Sequence, residues 1–166
     1  MNNNPAPAKV DPVTGLDDEF YLKTATLIAT KNVLTGNGGP FGAVIVTADG
    51  RIFAKGNSVT TTNDPTAHAE VNTIRFACAE LGTFDLSGCV LYSSCEPCPM
   101  CLGAALWSRV ERVVFAADRH DAADAGFDDA AFYAKLAEGN VAEQLLLEGR
   151  KVPFEKWGDY TERTEY

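Results

Sequence analysis

The sequence predicts a three-layer α/β domain, a mixed sheet flanked by helices. Strand and helix signals follow one another as β-β-α-β-α-β-α behind an opening helix. The first two strands form a hairpin, and helices separate the later ones, so the sheet is mixed. With 166 residues the chain makes one domain. Such a domain buries roughly 70% of its unfolded surface and needs no disulfides to hold a core.

Each element has its own signal. Residues 1–15 are rich in Asn, Pro and Ala and are expected to form a disordered or extended tail, with the domain running from 16 to 166. Asp17-Asp18-Glu19 precede Phe20, Leu22, Leu27, Ile28 and Val33-Leu34, which reads as a helix with acids at its positive end. Gly36 to Pro40 stop it. Phe41 to Thr47 reads as a buried strand, Ala48-Asp49-Gly50 as a turn, and Arg51 to Thr60 as the hairpin partner. Asp64 then suits an N-cap and Pro65 the first turn of a helix closed by Gly82. That helix carries Val71, Ile74, Cys78 and Leu81 at helical spacing. Cys89 to Ser93 reads as a strand, Pro97 to Trp107 as a helix and Arg112 to Ala117 as a strand. From Asp121 to about Leu147 the pattern is helical, broken near Gly126 and Gly139, and from Gly149 onward it is mixed.

Composition narrows the function. The longest apolar runs, such as Val113 to Ala117, fall far short of the roughly 20 residues that span a bilayer, so no membrane partner is expected. Fourteen Lys and Arg face 23 Asp and Glu, a net charge of −9, with no dense basic cluster. Nucleic-acid binders draw affinity from cations that displace phosphate counterions, so a small, weakly charged substrate is the better expectation. The cysteines, at 78, 89, 95, 98 and 101, are odd in number, and no apolar signal core opens the chain. Both features point to a reducing cytoplasm, where thiols serve as metal ligands or core residues.

Two short motifs carry chemistry. His68-Ala69-Glu70 and Pro97-Cys98-Pro99-Met100-Cys101 each fall at a helix start. Cys98 and Cys101 share a helix face, where unpaired N–H groups and the helix dipole favour thiolate. With His68 they make a three-ligand zinc site whose fourth position is open to water or hydroxide, the arrangement of a catalytic metal. Glu70, two residues beyond His68, points elsewhere and can stand beside the metal without ligating it, free to carry protons. A lone Cys-x-x-Cys also occurs in structural zinc and redox pairs. His-x-Glu followed about 30 residues later by Pro-Cys-x-x-Cys is far more specific, and is the zinc-deaminase signature.

The chain resembles the cytidine-deaminase-like superfamily and, within it, the small bacterial guanine deaminases. The resemblance rests on Gly38 to Val46, Asn63 to Glu70, Ser94 to Ala104, Asp121-Ala122-Ala123, Ala125 to Asp129 and the terminal Glu165-Tyr166. It covers about Asp17 to Tyr133 and the last residues, but not 134–164. It implies a cytidine-deaminase-like fold and one zinc per chain on His68, Cys98 and Cys101, with Glu70 as proton shuttle. It further implies that Asn57 reads a purine, that Phe41 and Trp107 enclose its ring, and that Phe127 belongs to a later substrate-binding loop. Asp129 is implied at the substrate's amine side, and Tyr166 as a lid in a homodimer domain-swapped at the C-terminus. On residue type alone, Phe41, Trp107 and Phe127 serve equally as core aromatics, Asn57 as a turn former and Asp129 as a helix cap.

The implied reaction is hydrolytic deamination of guanine to xanthine and ammonia. The alternatives are deamination of a related nucleoside or aminotriazine, a tRNA adenosine deaminase, or a zinc module without activity. From Val141 to Tyr166 six acids oppose four bases, which disfavours a tRNA-binding C-terminal helix.

Overall fold

The computed structural model describes residues 9, 13–139, 141–144 and 148–165. Most of the tail expected at 1–15, and Tyr166, lie outside the described residues. In chain order the elements are α1 (Asp18–Leu34), β1 (Gly42–Val46), β2 (Ile52–Gly56), α2 (Val59–Thr62), α3 (Ala69–Leu81), β3 (Val90–Cys95), α4 (Pro99–Trp107), β4 (Arg112–Ala117), α5 (Arg119–Asp124), α6 (Asp129–Glu138) and α7 (Val152–Asp159). The sheet order is β2-β1-β3-β4. β1 pairs antiparallel with both neighbours, and β3 pairs parallel with β4, so the sheet is mixed. Antiparallel neighbours need only a tight turn, whereas β3 and β4 require a crossover, which α4 provides.

β1 is buried at all five positions because both its faces are covered. Val44 and Val46 point toward α1, where they join Tyr21, Ala25 and Tyr92. Ala43 and Ile45 point the other way, toward Ala69, Ile74, Ala77 and Ala105 of α3 and α4. One face therefore carries α1, and the other carries α3 and α4, which makes the three layers. Gly42 lets α1 sit close on the sheet: a Cβ there would stand 2.3 Å from the Ala25 carbonyl oxygen.

Several boundaries differ from the sequence reading. The hairpin partner ends at Gly56, and the chain turns into α2 instead of continuing to Thr60. Asp64 does not cap a helix. Its carboxylate accepts from the Thr66 amide and hydroxyl at 2.8 and 2.6 Å, closing a local turn, and α3 begins only after His68. Likewise α4 starts at Pro99, with Cys98 as its N-cap, so Pro97 precedes the helix. β3 runs two residues beyond Ser93, to Cys95. Gly126 and Gly139 do break the helical stretch, and α7 occupies part of the end that reads as mixed. Among the described residues no helix is long and apolar enough to cross a membrane.

A buried acid ties the layers together. Asp18, 5% exposed at the start of α1, accepts from the Tyr92 hydroxyl of β3 at 2.8 Å and from the Lys9 amide at 2.9 Å. Arg112 of β4 forms a two-pronged pair with the same carboxylate. Burial works to raise this carboxyl, but the bonds from Arg112, Lys9 and Tyr92 outweigh it and hold the group at about 2, against the usual 3.8. A depressed carboxylate stabilises the fold above its unfolded value and loses that contribution as pH falls through the folded one. The difference corresponds to about 2 kcal/mol. Urea unfolding of wild type and Asp18→Asn is therefore expected to show a gap of that order at about pH 6 that shrinks toward about pH 2. A gap that stays constant with pH would remove Asp18 from this role.

Candidate active site

The sheet order brings two helix starts to one place. Because α3 and α4 pack side by side on one face, their N-termini end together above β1 and β3. His68 caps α3 with φ −66° and ψ 155°, and Cys98 caps α4 with φ −63° and ψ 168°. A capping side chain commonly folds back onto its own helix amides. Neither does so here, and both turn into the space between the helices.

There they meet Cys101, from the first turn of α4. His68 Nδ1 lies 3.7 Å from Cys98 Sγ and 3.6 Å from Cys101 Sγ, and the two sulfurs are 3.6 Å apart. Tetrahedral zinc with usual bond lengths places sulfur and nitrogen ligands about 3.6–3.8 Å from one another. The three atoms thus form one face of a zinc tetrahedron, and they are the one such cluster among the described residues. The hydrogen bond shared with Cys101, together with His68, holds the Cys98 thiol far below its usual range. The same pairing and burial push Cys101 up, and the contact with Cys98 raises His68. Zinc binds thiolate, so a bound ion would draw the protons from both sulfurs.

Glu70 stands beside this group and outside it. It is the second residue of α3, 5% exposed. Ser93 of β3 donates to Oε1 at 3.0 Å, and the Cys101 thiol donates to Oε2 at 3.5 Å. Burial pushes its carboxyl upward. The group is suited to take up a proton and return it.

A cavity of about 270 Å³ opens over these residues, lined among others by Phe41, Asn57, His68, Glu70, Phe127 and Asp129. It falls just below the roughly 300 Å³ where pockets for drug-sized ligands begin, a size for one small molecule. Phe41 and Phe127 meet edge to face with centroids 4.8 Å apart and form an apolar wall. Asp129 also lines the cavity, and burial raises its carboxyl.

Asn57 has a defined orientation. Its Oδ1 accepts from the amides of Gly39 and Val59 at 3.4 and 3.2 Å, and two N–H donors can meet only the oxygen end of an amide. The Nδ2 donors are thereby left for the cavity. Asn32 of α1 holds this loop from behind, donating to the Gly39 and Asn57 carbonyls at 2.9 and 2.7 Å. Gly38, at φ +154°, leaves room for it: a Cβ there would lie 2.3 Å from the Asn57 carbonyl oxygen.

The structure thus brings together His68, Cys98, Cys101, Glu70, Asn57, Phe41, Phe127 and Asp129. It does not bring Trp107 to them. Trp107 ends α4, nine residues past Cys98, and a helix rises about 13 Å over that length. It stands 65% exposed in a separate cleft with Pro153, Phe154, Trp157 and Glu165. Tyr166 lies outside the described residues. Glu96, Phe132 and Asn32 escaped the sequence reading. Glu96 and Phe132 line the cavity, and only the place of Glu96 inside the cysteine motif could have signalled it. Asn32 sits in a helix whose pattern says nothing of a buried amide.

Residues 16–117 match the family model of the cytidine and deoxycytidylate deaminase zinc-binding region. A guanine deaminase from Bacillus subtilis is 50% identical over 157 residues, covering 91% of this chain and all of the relative. The X-ray structure of guanine deaminase from that species aligns with a TM-score of 0.85 at 48% identity, over 91% of this chain and 99% of the other. A tRNA-specific adenosine deaminase from Bacillus subtilis is 46% identical over 101 residues, 60% of this chain and 62% of the relative. The His/Cys/Cys cluster falls inside the matched segment, and with a match that runs through more than half its length the chain belongs to the cytidine and deoxycytidylate deaminase zinc-binding family.

Proposed function

We propose that the protein is a zinc-dependent aminohydrolase that converts guanine and water to xanthine and ammonia. The reaction type is carried by one observation: a His/Cys/Cys face of ligand spacing with a buried, non-ligating Glu70 at its side, opening on a small cavity. The choice of guanine is supported by the match along nearly the whole chain to a guanine deaminase, against the partial match to tRNA deaminases.

His68, Cys98 and Cys101 would hold one zinc per chain, with the fourth position open to water. Bound zinc supplies the Lewis acidity that lets water attack near neutral pH. Glu70 takes the water's proton, passes it to the adjacent ring nitrogen, and then moves a proton to the leaving amine. Phe41 and Phe127 hold the planar ring and keep bulk water off it. Asn57, presenting Nδ2, reads an acceptor on the purine edge. Asp129 faces the amine side and aids its departure.

A homodimer completes the site. The cavity continues into an apolar hollow of about 450 Å³ beside Met100, Phe132, Leu136 and Val141. Among the described residues α7 buries none of its own, and Phe154 stands 75% exposed. Trp107 and Glu165, the neighbour of Tyr166, share one cleft away from this chain's cavity. Trp107 and a C-terminal tail ending in Tyr166 therefore act together at the partner's site, in a dimer that exchanges the segment. The five free cysteines suit a cytoplasmic location, where thiols stay reduced.

Zinc analysis is expected to return about one ion per chain, and Cys98→Ala is expected to lose metal and activity together. Glu70→Gln should keep zinc and fold while turnover drops about 10²–10⁴-fold. An active zinc-free protein would sink the mechanism.

In an ammonia-release assay over purines, nucleosides, aminotriazines and a tRNA hairpin, guanine should lead. Asn57→Asp keeps the oxygen facing Gly39 and Val59 but replaces the donor by an acceptor. It is expected to lower kcat/KM for guanine by about 10²-fold or more. Faster turnover of the tRNA hairpin would overturn the choice of substrate.

Mixing chains lacking Tyr166 with Glu70→Gln chains is expected to restore part of the activity, because one hybrid site regains both residues. No restoration in demonstrated heterodimers would place the tail in its own chain's site.

A further inference from the structure

α6 hangs over the cavity with little to hold it. Among its described residues none is buried, and Phe132 and Leu136 are 55% and 49% exposed. Core packing therefore does not set its position, yet its first residue is Asp129. A polar ring does the holding instead. Tyr133, one turn after Asp129 and on the same helix face, donates its hydroxyl to the Pro97 carbonyl at 2.7 Å, immediately before Cys98. The Arg119 guanidinium lies over the Tyr133 ring, 3.6 Å from its centroid. Arg119 Nε and its backbone amide both donate to Glu96 Oε2, at 2.9 and 3.1 Å, and a further guanidinium nitrogen pairs with Oε1. Glu96 and Pro97 are consecutive, so the circuit Glu96–Arg119–Tyr133–Pro97 closes on the loop that carries Cys98.

We infer that Tyr133 is a positioning residue, which, backed by Arg119 and Glu96, fixes Asp129 relative to the Cys98 loop and so sets its reach toward the departing amine. This rests on the deaminase reading above. The physical reason is leverage. A tyrosine hydroxyl on a backbone carbonyl, with its ring held by a cation, fixes both translation and rotation of a short helix that has no buried side chain. Arg119 is itself anchored on two carboxylate oxygens, so the cation cannot drift with solvent. The same ring explains why Glu96 lies at the cavity edge with its charge already engaged.

The test is Tyr133→Phe, which removes the hydroxyl and keeps the ring under Arg119. Zinc content and KM for guanine are expected to stay at wild-type values while kcat falls by about five- to tenfold, the scale of one hydrogen bond. In an Asp129→Asn background the same change is expected to add no further loss, because a residue that acts through another is non-additive with it. Amide hydrogen exchange of the zinc-loaded protein should speed up in α6 and stay unchanged in β1 and β3. Independent, additive losses would overturn the inference, as would unchanged exchange in α6. If the wild type fails to deaminate guanine, the proposed function fails by itself. The exchange comparison then decides the clamp alone, faster α6 exchange supporting it and unchanged exchange overturning it.

Discussion

Two positive helix ends have to meet at one point for this site to exist. His68 and Cys98 cap helices whose dipoles both aim positive charge at the gap between them. Two such ends repel unless negative charge lies between, and they favour the ionised form of Cys98, whose thiol is held below its usual range. The requirement fixes much else. β1 and β3 must be neighbours so that α3 and α4 share a face, and the cysteines must open α4 instead of lying in its body. Glu70 shows what burial adds. Two dipoles would favour its charged form, yet desolvation dominates and its carboxyl is raised.

Stability and chemistry occupy different parts of the molecule. The Asp18 cluster joins α1, β3 and β4 without touching the cavity. Its carboxylate is fully engaged, so it has no acceptor to spare for a ligand. At the site the accounting reverses. Asn57 gives its oxygen to the backbone and keeps its donors for the cavity, while Asn32 spends both its N–H groups on the loop that carries Asn57. One asparagine lines the cavity and the other holds its loop in place. The cavity wall formed by Phe41 and Phe127 is aromatic, an apolar surface that suits a flat ring.

Much of this was legible in the chain. Local physics writes itself into neighbouring residues: the acids opening α1, the glycines closing α3 and breaking the stretch before α6, and the continuous apolar run of a strand covered on both faces. The metal set was legible too, because a helix start offers ligands at fixed spacing and soft sulfur with imidazole selects zinc. So was the place of Glu70 beside that set and outside it, since two residues from His68 is the wrong angle for coordination.

What the tertiary structure decided is everything that depends on how far apart non-neighbours end up. Trp107 shares a helix with the ligands, and on sequence grounds belongs near them, but the rise of α4 carries it to another face of the molecule. Asp64 has the residue type of a cap, and the competing hydroxyl and amide of Thr66 claim its carboxylate first. Glu96 and Pro97 in one loop, Arg119 in α5 and Tyr133 in α6 close a circuit that no local pattern announces. Asn32 is one polar residue in a helix without a clear apolar face until the loop folds onto it. Sequence alone determined which atoms could bind a metal and move a proton, because those properties belong to side chains and their near neighbours. Distance, burial and orientation belong to the packed chain, and they determined which side chains share the cavity.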